Sequence, residues 1–219
     1  MKNYLWKINK KKLRKTNLSK YSDFLKKNYK FKVNNNFDKL WKWSIKNPKF
    51  FWNSIWDFTK IIGVKGDIIL KKSEIFYKNT FFPMSKVNYA KNILIKKNNK
   101  PAIIFKSEND YRKEVTWKKL NLNVSAISIW MQNNEIKKGD RVAAYLPNIP
   151  EAVIAYIASS AIGAVWSSCS PDFGATGVIE RFSQIKPKIL FIGNEYFYNG
   201  KKINILERLN KILKEVPSI

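Results

Sequence analysis

Chemistry in a protein needs a nucleophile, a proton-transfer pair, a metal set or an anion-binding turn, and this sequence holds few candidates for any of them. There is no histidine, so Ser-His-Asp and Cys-His systems and histidine-based zinc sites are excluded within it. The single cysteine, Cys169, has no visible base or cluster of activating charge and reads as a small, partly buried residue rather than a nucleophile. Glu151 and Asp172 are too isolated to form an acid/base pair. Two segments remain where an anion could be received. Gly174-Ala175-Thr176-Gly177 stands at a helix start, where free N–H groups can meet a negative charge or the threonine can merely cap. Asn199-Gly200 is a turn signal followed by Lys201 and Lys202, which can meet a phosphate or simply solvate the turn. Neither a Walker loop nor a GxGxxG pattern occurs among the eight glycines.

The elements that position these residues are clearest between Arg141 and Ile192. Arg141–Leu146 has strand character and enters a tight Pro-Asn-Ile-Pro connection. Pro150 then starts a helix of small and apolar residues that Gly163 stops. Val165–Ser167 reads as a second strand, Ser168–Gly174 as a polar loop, and Thr176 as the cap of a helix reaching Ile185. Pro187 ends that helix, and Lys188–Ile192 gives a third strand. The pattern is β-α-β-α-β with short connections, which predicts a parallel sheet covered by helices through right-handed crossovers. Lysine usage agrees: none occurs between Lys138 and Lys186, and eight of eleven alanines fall between Ala143 and Ala175. A helix buried on a sheet wants small residues and no ammonium groups.

Upstream, Ala102–Lys106 reads as a strand. Thr116 caps a helix whose Leu120, Val124, Ile127 and Met131 share one face, and Lys138-Gly139-Asp140 forms a turn. Asn47-Pro48 reads as an N-cap followed by proline at the first helical position, with Phe51, Ile55, Phe58 and Ile62 on one face and Gly63 as terminator. The Trp41, Trp43, Trp52 and Trp56 cluster is expected to pack as core. Residues 65–100 read as loop-rich, and the Lys/Asn-rich start, including Asn34-Asn35-Asn36, as ordered only in part. Beyond the Asn199-Gly200 turn, Ile205, Leu209, Ile212 and Leu213 lie on the apolar side of a helix.

The formal charge is +26, which points either to nucleic acid or an anionic surface or to compositional drift. The basic residues are 37 lysines against five arginines, accompanied by much Asn, Ile, Phe and Tyr. Nucleic-acid surfaces favour the arginine fork, so drift is the preferred reading. The longest apolar stretch, Ala152–Trp166, is 15 residues, where a membrane span needs roughly 20. The start lacks the apolar run of a secretory signal, and a lone cysteine fits a reducing compartment. A cytoplasmic protein without membrane or nucleic-acid partner is expected.

Several stretches together resemble the acetyl-CoA synthetase-type, adenylate-forming ligases: Phe51–Phe58 (FWNSIWDF), Phe82-Pro83 with Val87–Asn92 (VNYAKN), and Gly139–Ala152 (GDRVAAYLPNIPEA). Gly163–Gly174 (GAVWSSCSPDFG), continued by Arg181-Phe182 and Ile185–Lys188, is similar to the acetoacetate-activating branch. Met84 stands where the family has glycine after Phe-Phe-Pro, and Lys91 where it has glutamate.

The resemblance implies a two-step reaction, in which ATP and a carboxylate give an acyl-adenylate and pyrophosphate, and the CoA thiol then displaces AMP. ATP, CoA and Mg are the implied cofactors of an intact enzyme, with none binding tightly to this chain alone. A short acid such as acetoacetate is the implied substrate. The phosphate loop and catalytic groups are expected downstream of Ile219, on the same or a second polypeptide, so no catalytic and no metal-binding residue is assigned. Tyr198, Asn199, Gly200 and Lys201 match a region where relatives contact the CoA nucleotide, with Lys201 where they offer arginine to phosphate. The implied fold is α/β, part of a ligase's large amino-terminal domain preceded by a helical segment. Residues 1–36 are a lead-in, 37–100 the family's amino-terminal helical segment, and 101–219 the first part of the ligase domain. Another short-acid ligase in pieces, or a basic nucleic-acid-binding protein, stays open.

Overall fold

Four consecutive residues without exposed surface, Val142, Ala143, Ala144 and Tyr145, lie on the central strand of the one parallel sheet among the described residues. The structure is a computed structural model and describes residues 6, 8–34 and 36–219; the remaining positions of the Lys/Asn-rich start lie outside the described residues. Contacts divide the chain into two units, residues 1–87 and 88–219.

The first unit is helical. A single turn, α1 (Lys10–Leu13), is followed by α2 (Asn17–Tyr29), α3 (Phe37–Lys46) and α4 (Pro48–Thr59). Thr16 caps α2, its Oγ1 accepting from the Ser19 amide at 3.2 Å, and Asn36 caps α3 through the Lys39 amide at 3.0 Å. Tyr21, Leu25, Val33 and Leu40 are buried together, so much of the lead-in expected to be ordered only in part belongs to a packed core. A buried Tyr21 hydroxyl–Ser54 Oγ hydrogen bond of 2.6 Å joins α2 to α4. Satisfying both hydroxyls lets them sit in that core without penalty.

Three sequence expectations change in this unit. Asn47 gives no side-chain cap to α4; its amide nitrogen instead donates to the Trp43 carbonyl at 3.3 Å, finishing α3. Helix α4 ends at Thr59, with Lys60 left-handed at φ 55°, before Gly63 is reached. Gly63 lies in β1 (Gly63–Val64), and a Cβ there would meet the Lys86 carbonyl oxygen at 2.6 Å. Of the four tryptophans, Trp56 is buried and Trp43 stacks on Phe31 at 4.7 Å, whereas Trp41 and Trp52 are exposed. Two short antiparallel ladders complete the unit: β2 (Leu70–Lys71) pairs with β3 (Thr80–Phe81), and β1 with β4 (Lys86–Val87). Met84 is exposed and covers the bare Cα of Gly66, where a Cβ would lie 2.7 Å from that of Met84.

The second unit begins with α5 (Tyr89–Ile93), capped by Asn88, whose amide also donates to the Ala161 carbonyl at 2.9 Å. An antiparallel pair, β5 (Pro101–Lys106) and β6 (Arg112–Thr116), leads into α6 (Trp117–Asn133). Thr116 caps α6 as expected, and Leu120, Val124 and Met131 are buried on its inner face. Next come β7 (Arg141–Tyr145), α7 (Pro150–Ile162), β8 (Val165–Cys169), α8 (Ala175–Ile185) and β9 (Ile189–Ile192). The order is β8-β7-β9, with both neighbours parallel to β7, as the β-α-β-α-β reading predicts. The connections leave β7 toward one side and cross back to the other, so crossovers of one hand put α7 and α8 on opposite faces.

Alternation along β7 sorts the two cores. Val142 packs with Leu120, Val124, Ile154, Ile157 and Ala158 of α6 and α7. Ala143 and Tyr145 pack with Val178 and Phe182 of α8 and with Ile205, Ile212 and Val216. Those last residues follow a hairpin the sequence shows only as a turn: β10 (Glu195–Tyr198) and β11 (Lys201–Asn204), then a 3-10 turn and α9 (Leu209–Glu215). Arg141 fastens the end of α8, its Nε donating to the Ile185 carbonyl at 2.7 Å. Thr176 is not the cap of α8. Gly174 takes that place without a side-chain bond, and Thr176 falls inside the helix.

Candidate functional site

Ligands of open parallel sheets gather beyond the carboxyl ends of the strands, where neighbouring connections diverge. In this sheet that place lies between β7 and β9, because the chain leaves β7 toward β8 and returns to the other flank. A cleft of about 510 Å³ opens there, walled by Pro147–Ile149 after β7, Glu195–Phe197 of β10, and Phe105–Asn109 with Tyr111 of the β5–β6 hairpin. Aromatic rings line it, with Glu108 and Glu195 as its carboxylates.

Tyr198, Asn199, Gly200 and Lys201 form the tip of the β10–β11 hairpin, close to that cleft. Tyr198 pairs with Lys201, and Asn199 and Gly200 make the two-residue turn with φ of 50° and 72°. Two positive φ values in succession are the Asn-Gly hairpin geometry. All four residues are exposed. The Gly200 amide donates to Glu108 Oε2 at 3.2 Å. Lys202 pairs with Glu195 across the strands at 2.8 Å, while Lys201 forms no ion pair among the described residues. Of the two lysines flagged by the turn, Lys202 is thus held across the hairpin, and Lys201 is exposed at its tip.

The Ser170–Gly174 loop leaves the end of β8. Its Pro171 and Phe173 carbonyls accept from the buried Tyr145 hydroxyl and from Arg208 Nη1, the latter at 2.8 and 3.2 Å. Arg208 Nη1 also donates to the Tyr145 oxygen. Asp172 accepts from Ser170 Oγ at 2.9 Å and from the Tyr196 hydroxyl at 3.3 Å. Burial raises the Tyr196 phenol above its ordinary value, and the Asp172 carboxylate adds to that. Asp172 thus has a structural place in the loop.

Other candidates separate. Cys169 closes β8 rather than opening the loop, and burial pushes its thiol up, with Arg181 a smaller opposing influence. Glu151 binds Lys113, whose ammonium is held above its usual range chiefly by that hydrogen bond. It stands in the first turn of α7, where a carboxylate also suits the helix dipole. At Gly174–Gly177, Arg181 lies over the Phe173 ring at 4.3 Å and donates to the Gly177 carbonyl at 2.7 Å. No group of three or more Cys, Asp or Glu capable of holding a metal occurs among the described residues. None of their helices is long and apolar enough to cross a membrane. The sequence reading missed Tyr145, Glu108 and Arg208. For Arg208 a signal existed: it is one of five arginines among 42 basic residues.

A parallel sheet with a site at its carboxyl edge fits the family whose model matches residues 94–219, described as AMP-binding enzyme, and the chain belongs to that family. Within it the similarity runs to acetoacetyl-CoA synthetases. The Rhizobium meliloti (strain 1021) enzyme is 36% identical over 180 residues, covering 82% of this chain and 28% of the relative. That of Rattus norvegicus is 37% identical over 188 residues, covering 84% and 28%. The solved acetoacetyl-CoA synthetase from Streptomyces lividans superposes with a TM-score of 0.90 at 27% identity, over 98% of this chain and 34% of that one. The chain spans a little over a quarter of the length of these curated relatives, and the match is to their amino-terminal part. The resemblance drawn from Gly163–Gly174 to the acetoacetate-activating branch is thereby borne out.

Proposed function

We propose that this chain contributes the amino-terminal portion of an acetoacetate–CoA ligase. In that reaction ATP and acetoacetate give acetoacetyl-adenylate and pyrophosphate, and the CoA thiol then displaces AMP to leave acetoacetyl-CoA. The observation carrying this reading is the similarity to acetoacetyl-CoA synthetases along more than four-fifths of the chain. The role assigned to the chain is to hold part of the CoA nucleotide at the β10–β11 tip. Lys201 meets a phosphate as a point charge, and Tyr198, Asn199 and Gly200 shape the turn that presents it. ATP and Mg²⁺ are assigned to no residue here, since the chain carries no phosphate-cradling glycine loop and no metal-ligating cluster among its described residues.

Titration of the isotopically labelled chain with coenzyme A tests the assignment. Amide resonances of Tyr198–Lys201 are expected to shift, and Lys201→Ala to weaken binding by about tenfold, the size of one charge-assisted hydrogen bond. Shifts confined to other segments would remove CoA from this hairpin. By the same reading the chain alone forms no acyl-adenylate, so acetoacetate-dependent ATP–pyrophosphate exchange should stay at background; clear turnover would overturn that.

A further inference from the structure

Hairpins of two four-residue strands have little stability of their own, so the β10–β11 tip needs something to fix its direction. Its first strand and the segment that follows its second are both tied to the Pro171–Phe173 stretch of the loop after β8. From β10, the Tyr196 hydroxyl donates to Asp172 at 3.3 Å. Four residues after β11, Arg208 donates through one nitrogen to the carbonyls of Pro171 and Phe173, at 2.8 and 3.2 Å, and to the Tyr145 oxygen. Tyr145 stands at the end of the central strand, is wholly buried, and hands its own hydrogen to the same two carbonyls. The loop is thus held from below by the sheet and from the side by the segment that returns from the hairpin. Between them Ile205 is buried without exposed surface and joins the α8–α9 core.

We propose that Arg208 is a positioning residue: it locks the base of the β10–β11 hairpin to the Ser170–Gly174 loop and to Tyr145, and so sets where Lys201 and the Asn199-Gly200 turn meet a phosphate-bearing ligand. This rests on the reading of that tip as a CoA contact. Arg208 itself touches no ligand in this scheme. Its three acceptors among the described residues are all served by Nη1, so the requirement is for a cation with donors at one point rather than for the guanidinium fork. A lysine ammonium has three hydrogens for those three acceptors. Methionine keeps much of the apolar stem and supplies none.

The full chain, labelled with ¹⁵N, is titrated with coenzyme A, and exchange of the Phe173 and Gly200 amides is followed in parallel. Those amides are bonded to the Ser170 carbonyl and to Glu108. Arg208→Met is expected to speed exchange at both amides and to weaken coenzyme A binding about tenfold. Arg208→Lys should stay within about threefold of wild type, and the exposed Lys211→Ala should match it. Binding by Arg208→Met as tight as wild type, with a native circular dichroism spectrum, overturns the proposal, as does an Arg208→Lys variant as weak as the methionine one. If Arg208→Met fails to fold, the lysine variant decides, since only point donation predicts its recovery. If coenzyme A shifts no resonance of the wild-type tip, the CoA assignment falls by itself. The Arg208 lock is then judged on exchange: protection at Phe173 and Gly200 lost in the methionine variant and kept in the lysine variant supports it, and unchanged protection rejects it.

Discussion

Cys169, the last residue of β8, packs into the α8–α9 core with 5% of its surface exposed, and burial raises its thiol's pKa. A thiol kept protonated and out of solvent is a poor nucleophile. Iodoacetamide at neutral pH should therefore leave it unmodified in the folded chain, and mass spectrometry should find full alkylation only after denaturant is added. Asp140 gives a pH-dependent test. Its carboxylate accepts from the Lys137 amide and from Lys188 Nζ, at 2.8 and 2.9 Å, and these bonds, the amide first, lower its pKa. A carboxylate whose folded pKa is depressed stabilises the fold fully above its unfolded value, near about 3.9, and loses that contribution as pH falls through the folded value. Urea midpoints of wild type should exceed those of Asp140→Asn at pH 6, and the gap should narrow and then close as pH falls through the folded value. Asp140 was legible in the sequence as a turn residue, but its bond to Lys188, 48 positions away, was not. The arginines were more legible than they first look. In a chain that uses lysine for nearly every positive charge, Arg141 caps α8, Arg181 covers Phe173 and Arg208 locks the loop, three tasks in which guanidinium nitrogens meet carbonyls or a ring.

Helix α7 shows how an element can be read from both of its ends. Pro150 fills the first position, where its missing N–H is no loss, and Gly163 takes φ 77° at the other end, with the Ala164 amide reaching back to the Ser159 carbonyl. A Cβ on Gly163 would lie 3.1 Å from Cγ of Lys138, an exposed side chain free to move aside, so the cost of a substitution comes from the backbone. Gly163→Ala should destabilise the chain by about 1 kcal/mol in chemical denaturation, and Gly163→Asn by less, because asparagine tolerates left-handed geometry. The β-α-β-α-β core was legible because its punctuation is this strong and because lysine disappears from it. Elements lacking those marks were harder to see. Strand β6 (Arg112–Thr116) is charged in three of five positions, and β11 begins with two lysines; both hide strand character and are recognisable only through partners β5 and β10. In α2, Tyr21, Phe24 and Leu25 do form an inward stripe, but lysines on every side dilute it.

Each core cluster takes its residues from one unit: Tyr21 to Phe58 in the first, Ala90 to Ile219 in the second. The charge is divided less evenly. Residues 1–87 hold 22 of the 42 basic side chains and only 5 of the 16 acidic ones, so most of the net charge of +26 sits on the smaller unit. Self-repulsion on that scale opposes the compact state, and salt relieves it, since the screening length falls from about 30 Å at 0.01 M to about 8 Å at 0.15 M. The second unit has 11 acidic residues against 20 basic ones, and ion pairs such as Lys113–Glu151 and Lys188–Asp140. Salt should move it less, because screening weakens its attractions along with its repulsions. Thermal unfolding followed by tryptophan fluorescence should therefore show two transitions in 0.01 M salt. Raising the salt to 0.15 M should shift one upward by several degrees, the change expected for about 1 kcal/mol in a domain of this size. A polypeptide of residues 88–219 alone should unfold cooperatively, keeping only the transition that salt barely moves. One cooperative transition at both salt concentrations, or an unfolded 88–219 polypeptide, would show that the two units do not stand independently.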